Sequence, residues 1–328
     1  MASINTLADD INELLKEGLP TGLDEELQTK HAVAVATATS RSLLPRTKTR
    51  APKTLYFSEI GKPCMRQIWY GYHHPRLAEA LPPSAKYKFL YGDILEETTL
   101  MLAQAAGHTV THCQMPTKLP LTEGWTISGR IDAIIDDVLV DVKSCSPYGY
   151  AKFKEGLTNQ NDSFGYRAQL GAYSASLLVQ GTKHSDTAFV AVDKQNGHIG
   201  VFKQGPYNGL ERTRHLVSLL QDSQKEPPRE FDLEPEGTSG NKKLCTECSY
   251  CSYKWLCWRD ANNGEGLKMY AYSSKPMFLG TVNRVPKVPE VTPVHNVGIE
   301  AVFEIDKTLN LLKDDEEAPL NDTSTGDR

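Results

Sequence analysis

The stretch SGRIDAIIDDVLVDVKSC, Ser128 to Cys145, sets Asp132, Asp141 and Lys143 among Ile, Val and Leu. An interior strand avoids charges unless they are paired or hold a metal. Ile127 to Ile135 and Val138 to Lys143 are β-branched and apolar enough to be strands. Asp136-Asp137 between them makes a two-residue turn, since Asp tolerates left-handed backbone. In that register Ile135 faces Val138, and counting back puts Asp132 opposite Asp141. Alternation puts Lys143 on the same face as Asp141. Two carboxylates directly opposite each other repel, and a divalent cation between them turns repulsion into binding. Oxygen donors of this kind suit Mg²⁺ or Mn²⁺. The plainer alternative is an exposed hairpin with solvated charges and a salt bridge to Lys143.

Other elements must bring further donors to such a site. Ser84 to Ala106 predicts a long helix with Phe89, Leu90, Ile94, Leu100 and Leu102 as apolar positions. On it Gly92 precedes Glu96 by one turn, so another backbone can approach there while Glu96 offers a third oxygen ligand. A helix from about Ser163 to Gln180, closed by Gly181, puts Tyr166, Gln169 and Tyr173 on one face. Gln169 is a neutral donor and acceptor, and Tyr173 has a ring and a hydroxyl. Such groups hold a phosphodiester or stack on a base. Taken singly, these helices also read as a surface helix and an amphipathic core helix.

The rest of the chain frames these elements. Ile4 to Lys16 has the spacing of a short amphipathic helix, and residues 21 to 53 are polar, predicting a flexible arm. Within the arm Arg41 to Lys53 carries only positive charges. Order is expected from Leu55, with Ser58 capping the helix that carries Cys64, Arg66 and Trp69. Thr187 to Asp193 and His198 to Phe202 predict a second hairpin around Asn196-Gly197, and Tyr207 to Gln221 another helix. The order helix, hairpin, helix, hairpin, helix predicts an α/β core with a mixed sheet. Beyond residue 262 the chain reads as irregular and ends in an acidic, disordered run. The expected division is 1–54 for helix and basic arm, 55–262 for the core, and 263–328 for the extension.

The 328 residues carry a net charge of −5 and are 39% hydrophobic, enough for a core, so nucleic-acid contact is expected from local basic patches rather than the average surface. No apolar run is long enough to span a membrane, and the N-terminus lacks the pattern of a signal peptide. The seven cysteines are therefore expected in a reducing cytoplasm, where clustered cysteines bind metal more often than they form disulfides. In LCTECSYCSYKWLCW, the spacings of Cys245, Cys248, Cys251 and Cys257 fit a local Zn²⁺ site.

In chain order the candidate residues are Gly92-x3-Glu96, Gly129-x2-Asp132, Asp141-x-Lys143 and Gln169-x3-Tyr173. This order resembles the RecB-like branch of the PD-(D/E)xK nuclease superfamily over roughly residues 55 to 260. The resemblance implies a restriction-endonuclease-like core, with a mixed central sheet flanked by helices. It implies Mg²⁺ or Mn²⁺ on Glu96, Asp132, Asp141 and the Val142 carbonyl, and Lys143 positioning or deprotonating the attacking water. Gln169 and Tyr173 would orient the scissile strand, and Arg130 would reach a phosphate. Glu96 stands where many members have histidine, and Ile131-Asp132 stands for the "PD". Cys64 together with Cys248-x2-Cys251-x5-Cys257 resembles the iron–sulfur members, such as the AddB nuclease domain and the CRISPR-adaptation nucleases. In those, one cysteine before the core and three after it hold a 4Fe-4S cluster, which would leave Cys245 as a spare. The implied activity is that of a DNA exonuclease in recombination, repair or phage DNA metabolism, working on DNA with recombination or replication proteins in a prokaryotic or phage-infected cytoplasm. The rivals are a structure-specific endonuclease, a catalytically silent DNA-binding module and a zinc-ribbon interaction protein.

Overall fold

The computed structural model of the chain describes residues 2–19, 24–44, 50–205, 207, 210–221, 225–272 and 276–291. Along it run α1 (Leu7–Glu17), α2 (Glu25–Leu43), β1 (Thr54–Tyr56), α3 (Phe57–Ile60), α4 (Met65–His73) and α5 (Pro83–Ala105). Then come β2 (Val110–Thr111), β3 (Pro116–Pro120), β4 (Thr126–Arg130), β5 (Ala133–Ile135), β6 (Val138–Cys145), α6 (Pro147–Glu155) and α7 (Tyr166–Val179). Next are β7 (Asp186–Asp193), β8 (Ile199–Lys203), α8 (Leu210–Gln221), β9 (Leu233–Pro235) and β10 (Lys242–Leu244). The last are α9 (Thr246–Ser249), α10 (Lys254–Cys257), β11 (Lys268–Ala271) and β12 (Pro276–Thr281). The chain divides into one unit of residues 1–68 with 81–227, and a second of 69–80 with 228–328.

The first unit is built on a five-stranded sheet of order β2-β5-β6-β7-β8. Only β6 and β7 run parallel, so the sheet is mixed, as expected. The hairpin at its centre has the expected register, with Ile135 facing Val138 and Ala133 facing Val140. Asp136 and Asp137 close it at φ 48° and 62°, the left-handed region a two-residue turn requires. Strand alternation divides β6 between two faces. Val138, Val140 and Val142 belong to a core with Leu7 and Ile11 of α1 and Leu100 and Ala103 of α5. Leu139, Asp141 and Lys143 point the other way. On that side Phe153 of α6 stacks with Tyr166 of α7 and packs on Phe189 of β7.

Several expectations need correcting. Residues 127–135 are two strands, not one. β4 pairs with β1 and β3 in a separate three-stranded sheet, and β5 joins the five-stranded one. Between them the main chain is claimed by the loop before β3: Ile131 N–H donates to Met115 O at 3.1 Å, and Gln114 N–H to Asp132 O at 2.9 Å. The polar segment expected as a flexible arm contains the 19-residue α2. Its N-cap Asp24 accepts from Glu26 N–H, acids fill its first turn, and Arg41 sits in its last. Its Ala-rich middle loses little side-chain entropy in a helix, and it lies along α5. Ser58 lies inside the short α3 and does not cap the helix of Arg66 and Trp69, which begins at Met65. Residues 45–49 and the acidic run from 314 to 327 lie outside the described residues.

The second unit replaces an irregular extension with an antiparallel sheet of order β11-β12-β10-β9. Leu244, Trp258, Leu267 and Phe278 form its small core. Two asparagines tie its loops: Asn241 Oδ1 accepts from the N–H groups of Asn283 and Arg284, and Asn262 Oδ1 from Val282 N–H.

Helix α7 starts three residues later than expected. The Asp162 carboxylate accepts from Tyr166 and Arg167 N–H at 3.0 and 2.9 Å, satisfying its first orphan donors. Gly165, at φ 73°, crosses Gly61 so closely that a Cβ on either would overlap the other's backbone. Gly165→Ala is expected to cost about 3 kcal/mol or more, from overpacking and left-handed backbone together. A urea melt of the variant against the parent measures it.

Candidate active site

Asp141 is 1% exposed in the middle of β6. A carboxylate in so dry a place needs compensation. Lys143 supplies part of it, with Nζ 2.6 Å from Asp141 Oδ2, but neither carboxylate oxygen of Asp141 has a partner in good hydrogen-bond geometry. The Lys143 ammonium also lies 4.8 Å from the centre of the Tyr166 ring.

Asp132 stands where the chain passes from one sheet to the other. Its Oδ2 accepts from Val142 N–H at 2.7 Å, which turns its carboxylate toward β6. Val142, whose carbonyl is the fourth expected ligand, is thus tied to Asp132 through its N–H. Glu96 arrives from α5. Gly92, one turn earlier, lies against β6, where a Cβ would sit 3.3 Å from Ser144 Oγ. The neighbour that approaches is therefore a side chain rather than the expected backbone.

The four charged groups feel one another. Burial pushes the Glu96 carboxyl up to about 9, with the Asp132 and Glu97 charges adding to it. Burial and the Asp141 charge push Asp132 up to about 7. Asp141 is also raised, by burial against the opposing pull of Lys143. For Lys143 burial acts downward, but the carboxylates of Asp141 and Asp132 outweigh it and hold the ammonium above the usual lysine range. The sequence-predicted acids and lysine thus form one electrostatic cluster.

Gln169 and Tyr173 sit one turn apart on α7. Tyr173 is 6% exposed, and its ring packs on Phe57 with centroids 4.3 Å apart. That ring is unavailable for stacking on a base. Its hydroxyl reaches Gly129, where a Cβ would lie 3.3 Å from it and 2.8 Å from the Phe57 ring. Gly129 therefore makes room for Phe57 and Tyr173 beside the site. Arg130 follows it, exposed, with no ion-pair partner among the described residues.

One residue of the site was not found by sequence reasoning. Gln114, at φ 51°, donates through Nε2 to Glu96 Oε1 and accepts at Oε1 from Arg41 Nη1 at 3.0 Å. A guanidinium only donates, so the amide oxygen must face Arg41 and the amide nitrogen Glu96. Its main-chain N–H meanwhile holds Asp132 O. Gln114 thus fixes two of the three acids, and α2 reaches the site through it. No spacing rule marks a lone glutamine in a loop; the left-handed backbone is visible only in three dimensions. Gln114→Leu is expected to weaken Mn²⁺ binding about 10- to 100-fold, the usual effect of losing a hydrogen bond behind a metal ligand. Loss of the free Mn²⁺ electron-spin signal on titration measures it.

A family model described as the PD-(D/E)XK nuclease superfamily matches residues 23–258. The chain belongs to this superfamily. No curated protein matches the sequence. Among solved structures, one described as "Crystal structure of SSO0001" is similar at 16% identity, with a TM-score of 0.42, covering 69% of this chain and 95% of that one.

Superfamily membership implies nuclease activity, a DNA substrate and, typically, Mg²⁺ or Mn²⁺. Among the described residues no group of three or more His, Cys, Asp or Glu side chains is gathered at metal-ligand spacing. The donor chemistry of the nuclease site nevertheless fits a hard divalent cation. Glu96 and Asp132 each spend one oxygen on a protein hydrogen bond, and Asp141 Oδ1 is buried with no hydrogen-bond partner among the described residues. An oxygen-ligated cation is the group such a carboxylate suits.

The cysteines divide between the units: Cys64 in the first, and Cys245, Cys248, Cys251 and Cys257 in the second. Cys248 N–H points at Cys245 Sγ at 3.5 Å, and Tyr253 N–H at Cys251 Sγ at 3.4 Å. Burial raises the Cys248 thiol, with Cys245, Cys257 and Cys251 adding to it. No helix among the described residues is long and apolar enough to cross a membrane.

Proposed function

We propose that this member of the superfamily is a Mg²⁺- or Mn²⁺-dependent deoxyribonuclease that degrades DNA from an end. The observation that carries the reading is the buried Asp141–Lys143 pair, within the same electrostatic cluster as Asp132 and Glu96. Glu96, Asp132 and Asp141, with the Val142 carbonyl, would hold the cation. Once bound, it lowers the pKa of a water and neutralises charge on the phosphate. Lys143, held in its charged form by two carboxylates, acts as a donor to the scissile phosphate or to the water rather than as a base. Gln169 and Tyr173, one turn apart on α7, would orient the scissile strand. Arg130 offers an exposed charge to a phosphate further along.

The end-directed mode, and roles in recombination, repair or phage DNA metabolism with recombination or replication proteins, rest on the resemblance to the iron–sulfur RecB-like members. The cofactor reading from that resemblance is a 4Fe-4S cluster on Cys64, Cys248, Cys251 and Cys257, in a cytoplasmic protein. The amide-to-sulfur contact between Cys248 and Cys245 favours the second reading, Zn²⁺ on Cys245, Cys248, Cys251 and Cys257. Iron with labile sulfide in an anaerobic preparation supports the first, and zinc alone the second.

End-labelled single- and double-stranded DNA with Mg²⁺ or Mn²⁺ tests the activity. Label released as mononucleotides or short fragments marks an exonuclease. Internal cuts mark an endonuclease of the same fold. A protein that binds DNA and releases nothing with either ion would be a silent binding module.

A further inference from the structure

The Lys143 ammonium has two neighbours of unlike kind. Asp141 Oδ2 lies 2.6 Å from it, and the centre of the Tyr166 ring 4.8 Å. Beside Lys143 on β7 stands Ala191, whose methyl gives a flexible four-carbon stem little to lean on. The carboxylate and the ring are therefore what steady the charged end.

These two seats are not equivalent. In the nuclease reading Asp141 is also a ligand of the cation. A carboxylate that gives its oxygens to a divalent ion holds an ammonium less well, and the two positive charges repel. The face of an aromatic ring attracts a cation through its quadrupole. That face carries no lone pair for a hard ion, so a lysine seated there competes for no ligand.

Tyr166 is placed with care by its surroundings. It is the first residue of α7, and its N–H donates to Asp162 Oδ1 at 3.0 Å. The close crossing of Gly165 over Gly61 fixes the backbone just before it. Its ring stacks with Phe153, centroids 6.0 Å apart and planes at 15°, and with Phe164 at 5.4 Å and 26°. Phe189, the β7 neighbour of Asp141, lies 6.3 Å from the same ring. Of the three residues on this stripe of α7, Gln169 and Tyr173 have parts in the nuclease reading and Tyr166 has none.

Building on that reading, we propose that Tyr166 is a positioning residue for Lys143. Its ring is the seat the ammonium keeps when Asp141 turns to the cation, so the donor stays beside the site without occupying a ligand.

The test labels the lysine ε-carbons with ¹³C and follows the Lys143 signal, assigned by its loss in Lys143→Ala. Protons held over a ring face resonate upfield of their ordinary position. The expected signal is upfield in the parent and stays so at a Mg²⁺ concentration that saturates the rise in melting temperature. It persists in Tyr166→Phe and returns to the ordinary lysine position in Tyr166→Leu. Steady-state DNA cleavage is expected to show kcat lower by about 30-fold in Tyr166→Leu, the size of a desolvated cation–π contact. KM should be unchanged, and Tyr166→Phe should restore the rate. A Lys143 signal at the ordinary position in the parent overturns the proposal, and so does a shift that vanishes on adding Mg²⁺. A phenylalanine variant as slow as the leucine one would assign the effect to the hydroxyl and also overturns it, as does a loss confined to KM. Should Tyr166→Leu fail to fold, the Mg²⁺ titration of the parent and of Tyr166→Phe still decides. A parent that cuts no DNA sinks the nuclease reading, while the Lys143 signal still judges the seat.

Discussion

Lys143→Ala is expected to bind DNA and leave it uncut, with cleavage reduced about 10²- to 10⁴-fold, the range for losing a positioned proton donor or acceptor. The reason lies in what the ammonium does now. It offsets Asp141, whose oxygens have no hydrogen-bond partner in good geometry, and two carboxylates hold it charged. Without it Asp141 is a buried carboxylate facing Asp132, and the protein takes up a proton rather than keep both charges. The variant should therefore need a higher pH to load Mn²⁺. Lys143→Arg separates two roles. Guanidinium keeps the charge but cannot act as a base near neutral pH. Partial activity in the arginine variant supports charge stabilisation, and none supports proton abstraction. Single-turnover cleavage at saturating Mn²⁺, beside filter binding, measures both. Alanine and parent rates that coincide would move the chemistry away from this pair.

The second large effect is on stability. Glu96 and Asp132 are raised to about 9 and about 7, well above the value near 4 of a carboxyl in an unfolded chain. The folded protein therefore keeps protons that the unfolded chain releases. Folded pKa values above unfolded ones mean stability that is full below about pH 4 and declines as pH rises through 7 and 9. Without divalent ions the melting temperature is expected to fall between pH 5 and pH 9.5. Mg²⁺ or Mn²⁺ replaces the protons, so its stabilising effect should grow with pH, and binding should release protons to the buffer. Glu96→Gln should remove the upper part of the decline. Thermal melts with and without Mn²⁺ across this range check the sign. A melting temperature indifferent to Mn²⁺ at pH 9 would mean that the acids do not share an ion.

The chemistry was more legible in the chain than its supports. The register of the central hairpin followed from Asp136-Asp137 and the alternating valines, because a two-residue turn and a period of two leave one solution. That register carried Asp132, Asp141 and Lys143 with it. The break at Ile131-Asp132 was not legible, since Gln114 and Met115 in the loop before β3 supply the competing hydrogen bonds. Helix α2 escaped because its face is weakly patterned and its support comes from Asp24 and from α5 rather than from periodicity. β11 and β12 escaped because they are short, flanked by proline, and tied by asparagines that local rules assign to turns. The burial of Tyr173 depends on Phe57, more than a hundred residues earlier, and no local pattern reports it.

Asp132 occupies the seam between β4 of the small sheet and β5 of the large one. An ion gripped there is a rivet. It would lock the two ladders against shear, so that loading the catalyst also stiffens its frame. Slowed amide exchange at Ile131 and Val142 on adding Mn²⁺ would register that stiffening in a protein that has not yet met its substrate.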